Sequence, residues 1–108
     1  MGKVYAYVKA TEGQNYSEMQ EQSITEYCAK HDLTIDEWVK DIRPLGSGED
    51  ISCLNELVGR LASGDKLVVD EPNRLSRKQK EITACIDKIK GIGAEFIAVD
   101  PTALDILY

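Results

Sequence analysis

Arg74, Arg77, Lys78 and Lys80 fall within seven positions, where a short apolar run gives way to a helical pattern. The amino end of a helix disfavours cations, so a cluster of them there points to an anionic ligand. Arg74 and Arg77, three apart, can turn toward one phosphate together, each offering a rigid fork of donors, with the helix N-terminus adding its own pull. A second polar set lies at the end of the first strand-like stretch: Tyr7, Lys9 and Thr11 alternate there, and Gln20 follows nine positions after Thr11. Asp41 opens a third set, and Asn73 immediately precedes Arg74. Each has an ordinary structural reading as well. The Thr11 hydroxyl can serve a neighbouring loop amide. Gln20 can answer Ser17 in a capping box, since Ser17-Glu18-Met19-Gln20 has that pattern. Asp41 can cap a loop, and the arginines can be solvated charges.

The elements that must hold these residues follow from periodicity. Residues 3–9 are β-branched and aromatic and predict a first strand, with one of Tyr5 and Tyr7 in the core and the other at the sheet's edge. Met19, Ile24, Tyr27 and Cys28 recur at helical spacing up to about His31. Residues 33–40, with Ile35, Trp38 and Val39, predict a second strand with Trp38 in the core. From Asp41 to Ser52 the chain turns to Pro44, Gly46, Ser47 and Gly48, a surface loop of the kind that often carries function. Leu54, Leu57, Val58 and Leu61 predict a helix stopping at Gly64 in a C-cap position. Residues 66–70 are short, with the apolar run Leu67-Val68-Val69 between Lys66 and Asp70, like a parallel strand covered on both faces. After a turn at 71–76, Ile82, Cys85, Ile86 and Ile89 mark a long helix ending near Gly91 or Gly93, and residues 95–99 a last strand. Strands alternating with helices across short connections predict an α/β fold: an open, mostly parallel sheet of about four to five strands flanked by helices in three layers. Ligands bind such sheets beyond the carboxyl ends of the strands, which selects residues 9–14, 41–50 and 70–77.

A chain of 108 residues supports one core and predicts a single domain over 1–108. It has no apolar run near the roughly 20 residues of a membrane span, and its first residues lack a signal-peptide stretch. A cytoplasmic location without a membrane partner is therefore expected. Cys28, Cys53 and Cys85 make no C-x-x-C and fall in helical patterns, as buried reduced thiols do. His31 is the only histidine, which argues against a multi-histidine metal site and a Ser-His-Asp triad. The net charge is −6, so DNA binding by this domain alone should be weak and local to the Arg74–Lys80 cluster.

Tyr7-Val8-Lys9-Ala10-Thr11, Gln20 nine residues on, and Asn73-Arg74-Leu75-Ser76-Arg77 after Gly-Asp-Lys-Leu-Val-Val (64–69) together resemble the catalytic domain of the serine recombinases, the resolvases and invertases. The family reads Tyr-x-Arg-x-Ser at the first place and Asp-Arg-Leu-(Gly/Ser)-Arg at the second, and the likeness runs from the first strand to the last. It implies a resolvase-like catalytic domain acting in site-specific DNA recombination, with no cofactor and no metal. A serine oxygen would attack a DNA phosphodiester in line, leaving a 5′-phosphoserine bond and a free 3′-hydroxyl, while arginines stabilise the charge on the non-bridging oxygens. Carried onto this chain, the resemblance assigns Thr11 the nucleophile's place and Tyr7, Lys9, Gln20, Asp41, Asn73, Arg74 and Arg77 the surrounding site.

The departures are specific. Thr11 supplies a hindered secondary hydroxyl on a stiff side chain. Lys9 replaces the first arginine and loses its bidentate fork. Asn73 replaces the aspartate, and aligning Asp41 with the family's loop aspartate puts Ile51 where another arginine belongs. Impaired or lost strand cleavage is expected. Small family members continue into a long dimerisation helix and a helix-turn-helix DNA reader; only residues 102–108 follow the last strand here, so both are expected to be absent. Partners implied are DNA and either further copies of the chain or an active recombinase. The alternatives are a non-catalytic module that pairs with an active recombinase, and, more distantly, a receiver-like phosphoacceptor domain using Asp70.

Overall fold

The computed structural model describes residues 2–11, 16–43, 52–75 and 78–100. Strand β1 (Val4–Thr11) leads to helix α1 (Tyr16–Lys30), β2 (Glu37–Arg43), α2 (Ser52–Arg60), β3 (Lys66–Val69), a 3-10 turn (Pro72–Arg74), α3 (Gln79–Ile92) and β4 (Glu95–Ala98). The four strands form one sheet in the order β2-β1-β3-β4, and every pairing is parallel.

Alternation along β1 divides the core in two. Val4, Ala6 and Val8 meet Ile24 and Cys28 of α1 on one face. Tyr5 and Tyr7 meet Leu54, Leu57 and Val58 of α2 and Ile82, Ile86 and Ile89 of α3 on the other. A central parallel strand covered on both faces must be apolar where it is covered, and β1 is from Val4 to Val8. The expected split between Tyr5 and Tyr7 does not occur. Two residues apart, they share one face, and both are buried.

Two boundaries differ from expectation for identifiable reasons. Leu33 and Ile35 are not in a strand; they pack against the α1-side core from the connection. Asp36 closes that connection, its amide donating to Val4 O at 2.8 Å and its carboxylate accepting from Val4 N at 2.8 Å. Strand pairing then runs from Glu37 to Arg43, because β1 continues to Thr11 and offers a partner that far. Asp41, expected in a loop, thus lies within β2. Trp38 is half-buried against the α1-side core on this edge strand.

Gly64 is not the cap of α2, which ends at Arg60; it takes a positive φ in the turn before β3. Gly93 does cap α3, at φ 94°, its amide bonding to Ile89 O and Lys90 O. The turn before β3 is held by Asp65, a buried carboxylate. It accepts from Lys3 N at 2.9 Å and Ala62 N at 2.8 Å, while its carbonyl accepts from Glu95 N at 2.8 Å. One residue thereby joins the start of β1, the end of α2 and the start of β4. The two backbone donors, helped by the charges of Lys3 and the N-terminus against the effect of burial, hold the Asp65 carboxyl below the usual carboxylate range. A depressed folded-state value stabilises the fold above the unfolded value of about 3.9, and that contribution is lost as pH falls through the folded value. Asp65→Asn is expected to lower stability by about 1–2 kcal/mol at neutral pH and to flatten the acid limb in denaturant melts between neutrality and acid. An acid limb unchanged by the substitution would contradict this.

The thiols of Cys28 and Cys85 are pushed up by burial, for Cys85 against an opposing pull from Lys88, so both are held in the unreactive thiol form. Among the described residues no helix is long and apolar enough to cross a membrane.

Candidate active site

The strand order places the switch in chain direction at β1 and β3, where an open α/β sheet has its ligand crevice. The two strands pair only over Val4–Ala6 and Lys66–Val68, so beyond Ala6 the edge of β1 that faces β3 runs on unpaired by strand. Odd-numbered β1 residues turn their backbone groups to that side, as the bond from Lys66 N to Lys3 O shows, and even-numbered ones to β2, as Asp36 N to Val4 O shows. The backbone of Lys9 therefore opens into the crevice. Gln20 of α1 fills the gap, accepting from Lys9 N at 3.1 Å and donating from Nε2 to Lys9 O at 2.8 Å. Its side chain is fully buried. This excludes the capping-box role for Gln20: its carboxamide is committed to the strand, and α1 begins at Tyr16, ahead of Ser17. Gln20 is a positioning residue that fixes the backbone two positions before Thr11.

On the opposite face of the sheet the hydroxyl of Tyr7 donates to Asp41 Oδ2 at 3.1 Å, and both residues are buried. Lys9 lies opposite Asp41 in the β1–β2 register, and Thr11 opposite Arg43. Asp41 is a strand carboxylate that accepts from Tyr7 near the end of the sheet.

Arg74 departs most from expectation. It belongs to a 3-10 turn with Pro72 in its first positions, and α3 begins only at Gln79 with Lys78 as N-cap. Arg74 is therefore not at a helix start, and the helix-dipole argument does not apply to it. Its amide donates to Glu71 O at 3.1 Å and that of Leu75 to Pro72 O at 3.0 Å, with Leu75 buried in the core. Its guanidinium grips Asp70 side-on, Nε to Oδ1 at 2.9 Å and Nη2 to Oδ2 at 3.1 Å, and Nη2 lies 3.6 Å from Glu71 Oε2. Burial lowers the Arg74 pKa, but the hydrogen bond and charge of Asp70 and the charge of Glu71 outweigh it and raise the net value. The guanidinium is a fixed cation.

Arg77 and Ile51, and the side chains of Thr11 and Asn73, lie outside the described residues. Tyr7, Lys9, Gln20, Asp41 and Arg74 all fall on, or brace, the carboxyl-end rim of β1, β2 and β3. The contact missed in sequence is that of Asp70 with Arg74. Its signal was the i,i+4 spacing to Arg74, but residues 66–70 read as strand, where such spacing brings nothing together; the 3-10 turn closes it.

The Asp70 pairing limits what Arg74 can do. At an effective dielectric constant of about 20, a phosphate charge about 4 Å from the guanidinium gains about 4 kcal/mol, and two carboxylate charges about 7 Å away take back roughly the same amount.

The family described as Resolvase, N terminal domain, matches residues 4–106. The chain belongs to this family, a recombination domain of the serine recombinase kind. No curated protein matches the chain. Among solved structures it is similar to the N-terminal catalytic domain of TP901-1 integrase, at 17% identity over 97% of this chain and 88% of that one, with a TM-score of 0.71. It is also similar to a resolvase family site-specific recombinase from Streptococcus pneumoniae, at 17% identity over 99% and 83%, TM-score 0.74. The C-terminal catalytic domain of ISC1926 TnpA, an IS607-like serine recombinase, matches at 16% identity over 92% and 68%, TM-score 0.68. At these identities the solved structures establish the fold.

Proposed function

We propose that this domain engages DNA phosphodiesters in site-specific recombination with its own strand-cleaving step impaired. The observation that carries the impairment is the side-on grip of Asp70 on Arg74, which occupies one of the guanidinium's two forks and sets a negative charge beside the other. Lys9, Thr11, Asn73 and Ile51 weaken the same site by residue type, since one preorganised donor alone is worth about two to three orders of magnitude in rate. The receiver-like alternative is disfavoured by the same pair, because both oxygens of Asp70 are held by an arginine.

Lys9, Thr11, Asn73 and Ile51 also favour a second role, pairing with an active recombinase. Added to an active serine recombinase and its crossover-site DNA, the chain is expected to lower recombination in proportion to its concentration while forming no covalent DNA adduct of its own. Undiminished recombination at excess chain would remove the pairing role. An adduct on this chain would remove the impairment.

A further inference from the structure

We propose that Asp70 is an internal competitor for Arg74, a built-in carboxylate that a DNA phosphate must displace before the arginine can engage it; this rests on the reading of Arg74 as a phosphate-contacting residue. Both halves of the pair are fixed by the fold. Asp70 directly follows β3, its carbonyl accepting from Asp100 N at 2.8 Å. Arg74 rides on the 3-10 turn anchored by buried Leu75. The contact is therefore preformed. Its geometry matters as much as its charge. The carboxylate takes Nε and Nη2 at 2.9 and 3.1 Å, one of the two edges on which a guanidinium holds a phosphate with two parallel bonds. Glu71 stands 3.6 Å from the same Nη2, so an incoming phosphate meets two negative charges around one positive one. Asp70 is only 13% exposed and Arg74 28%, so solvent screens this contact less than a fully exposed pair. Phosphate binding here is an exchange of one anion for another, and neutralising Asp70 releases the site.

The test is binding of a short DNA duplex at low salt by the full chain, Asp70→Asn, Arg74→Ala and the double variant. Asp70→Asn is expected to tighten binding about tenfold and to steepen the dependence of log affinity on log salt by about one unit, as one more phosphate is neutralised. The gain should vanish in the double variant. A general effect of removing negative charge would persist there, and that persistence overturns the proposal. Unchanged or weaker binding by Asp70→Asn, with Arg74→Ala also weakening the native chain, would make Asp70 a positioning residue for a phosphate-binding arginine and overturns the competitor role alone. If Arg74→Ala changes binding in neither background, Arg74 does not meet the phosphate and the underlying reading fails. The Arg74 Nε–H resonance of the unsubstituted chain provides a readout independent of the variants' folding. It should shift on duplex addition as the carboxylate is exchanged, and an unmoved resonance at saturation contradicts the exchange.

Discussion

Changing Lys9→Arg, Thr11→Ser, Ile51→Arg and Asn73→Asp together is expected to raise DNA strand cleavage by about a hundredfold or more. The domain would be grafted in front of an active relative's dimerisation helix and DNA reader, and covalent adduct measured on crossover-site DNA. Thr11→Ser supplies a primary hydroxyl free of the branch that stiffens and shields it. Lys9→Arg and Ile51→Arg supply planar forks in place of a point charge and an apolar side chain. Asn73→Asp returns a carboxylate beside Arg74. Groups that act as a unit are not additive, so each single change should gain little and the four together much more. The four changes leave the Asp70 grip on Arg74 in place, and a quadruple variant that folds and stays at background would make that grip the dominant defect.

Gln20→Ala is expected to destabilise the fold by about 2–4 kcal/mol, since a fully buried side chain leaves behind a backbone donor and acceptor without partners. For a domain of this size that is a fall in melting temperature on the order of 10–20 °C. Gln20→Glu separates the structural account from a capping box. A glutamate is favoured at that place in a capping box, so the box predicts a neutral or stabilising change. Here the introduced carboxylate would face Lys9 O, to which Gln20 Nε2 now donates at 2.8 Å. Burial and that carbonyl would raise its folded-state pKa, so part of the lost stability should return as pH falls below that raised value and the protonated acid can donate. Gln20→Glu as stable as the native chain at neutral pH would contradict the strand-bracing role.

The layers of the fold were legible because parallel strands covered on both faces write continuous apolar runs, as Leu67–Val69 and Val4–Val8 do, between helices with apolar stripes. The boundary of β2 was not, since Leu33 and Ile35 are as apolar as strand residues and only the reach of β1 decides where pairing begins. Gly64 and Gly93 share a positive φ, and nothing local separates a cap from a turn before a strand. At the site, the family resemblance singled out Tyr7, Gln20, Asp41 and Arg74. It did not give their partners, because Tyr7–Asp41 spans 34 positions and Gln20 acts on backbone rather than on any side chain. The dipole argument for Arg74 failed on the length of a turn: a helix starting at Gln79 in place of one starting near Arg74 removes it.

Impaired cleavage is tested most directly by covalent trapping. The unaltered domain, joined to an active relative's dimerisation helix and DNA reader, is incubated with crossover-site DNA bearing a bridging phosphorothiolate, alongside the active relative and a Thr11→Ala version. The account predicts adduct from the relative and none, or about a hundredfold less, from this domain. Adduct at the relative's rate that disappears with Thr11→Ala would contradict it and make Thr11 a working nucleophile.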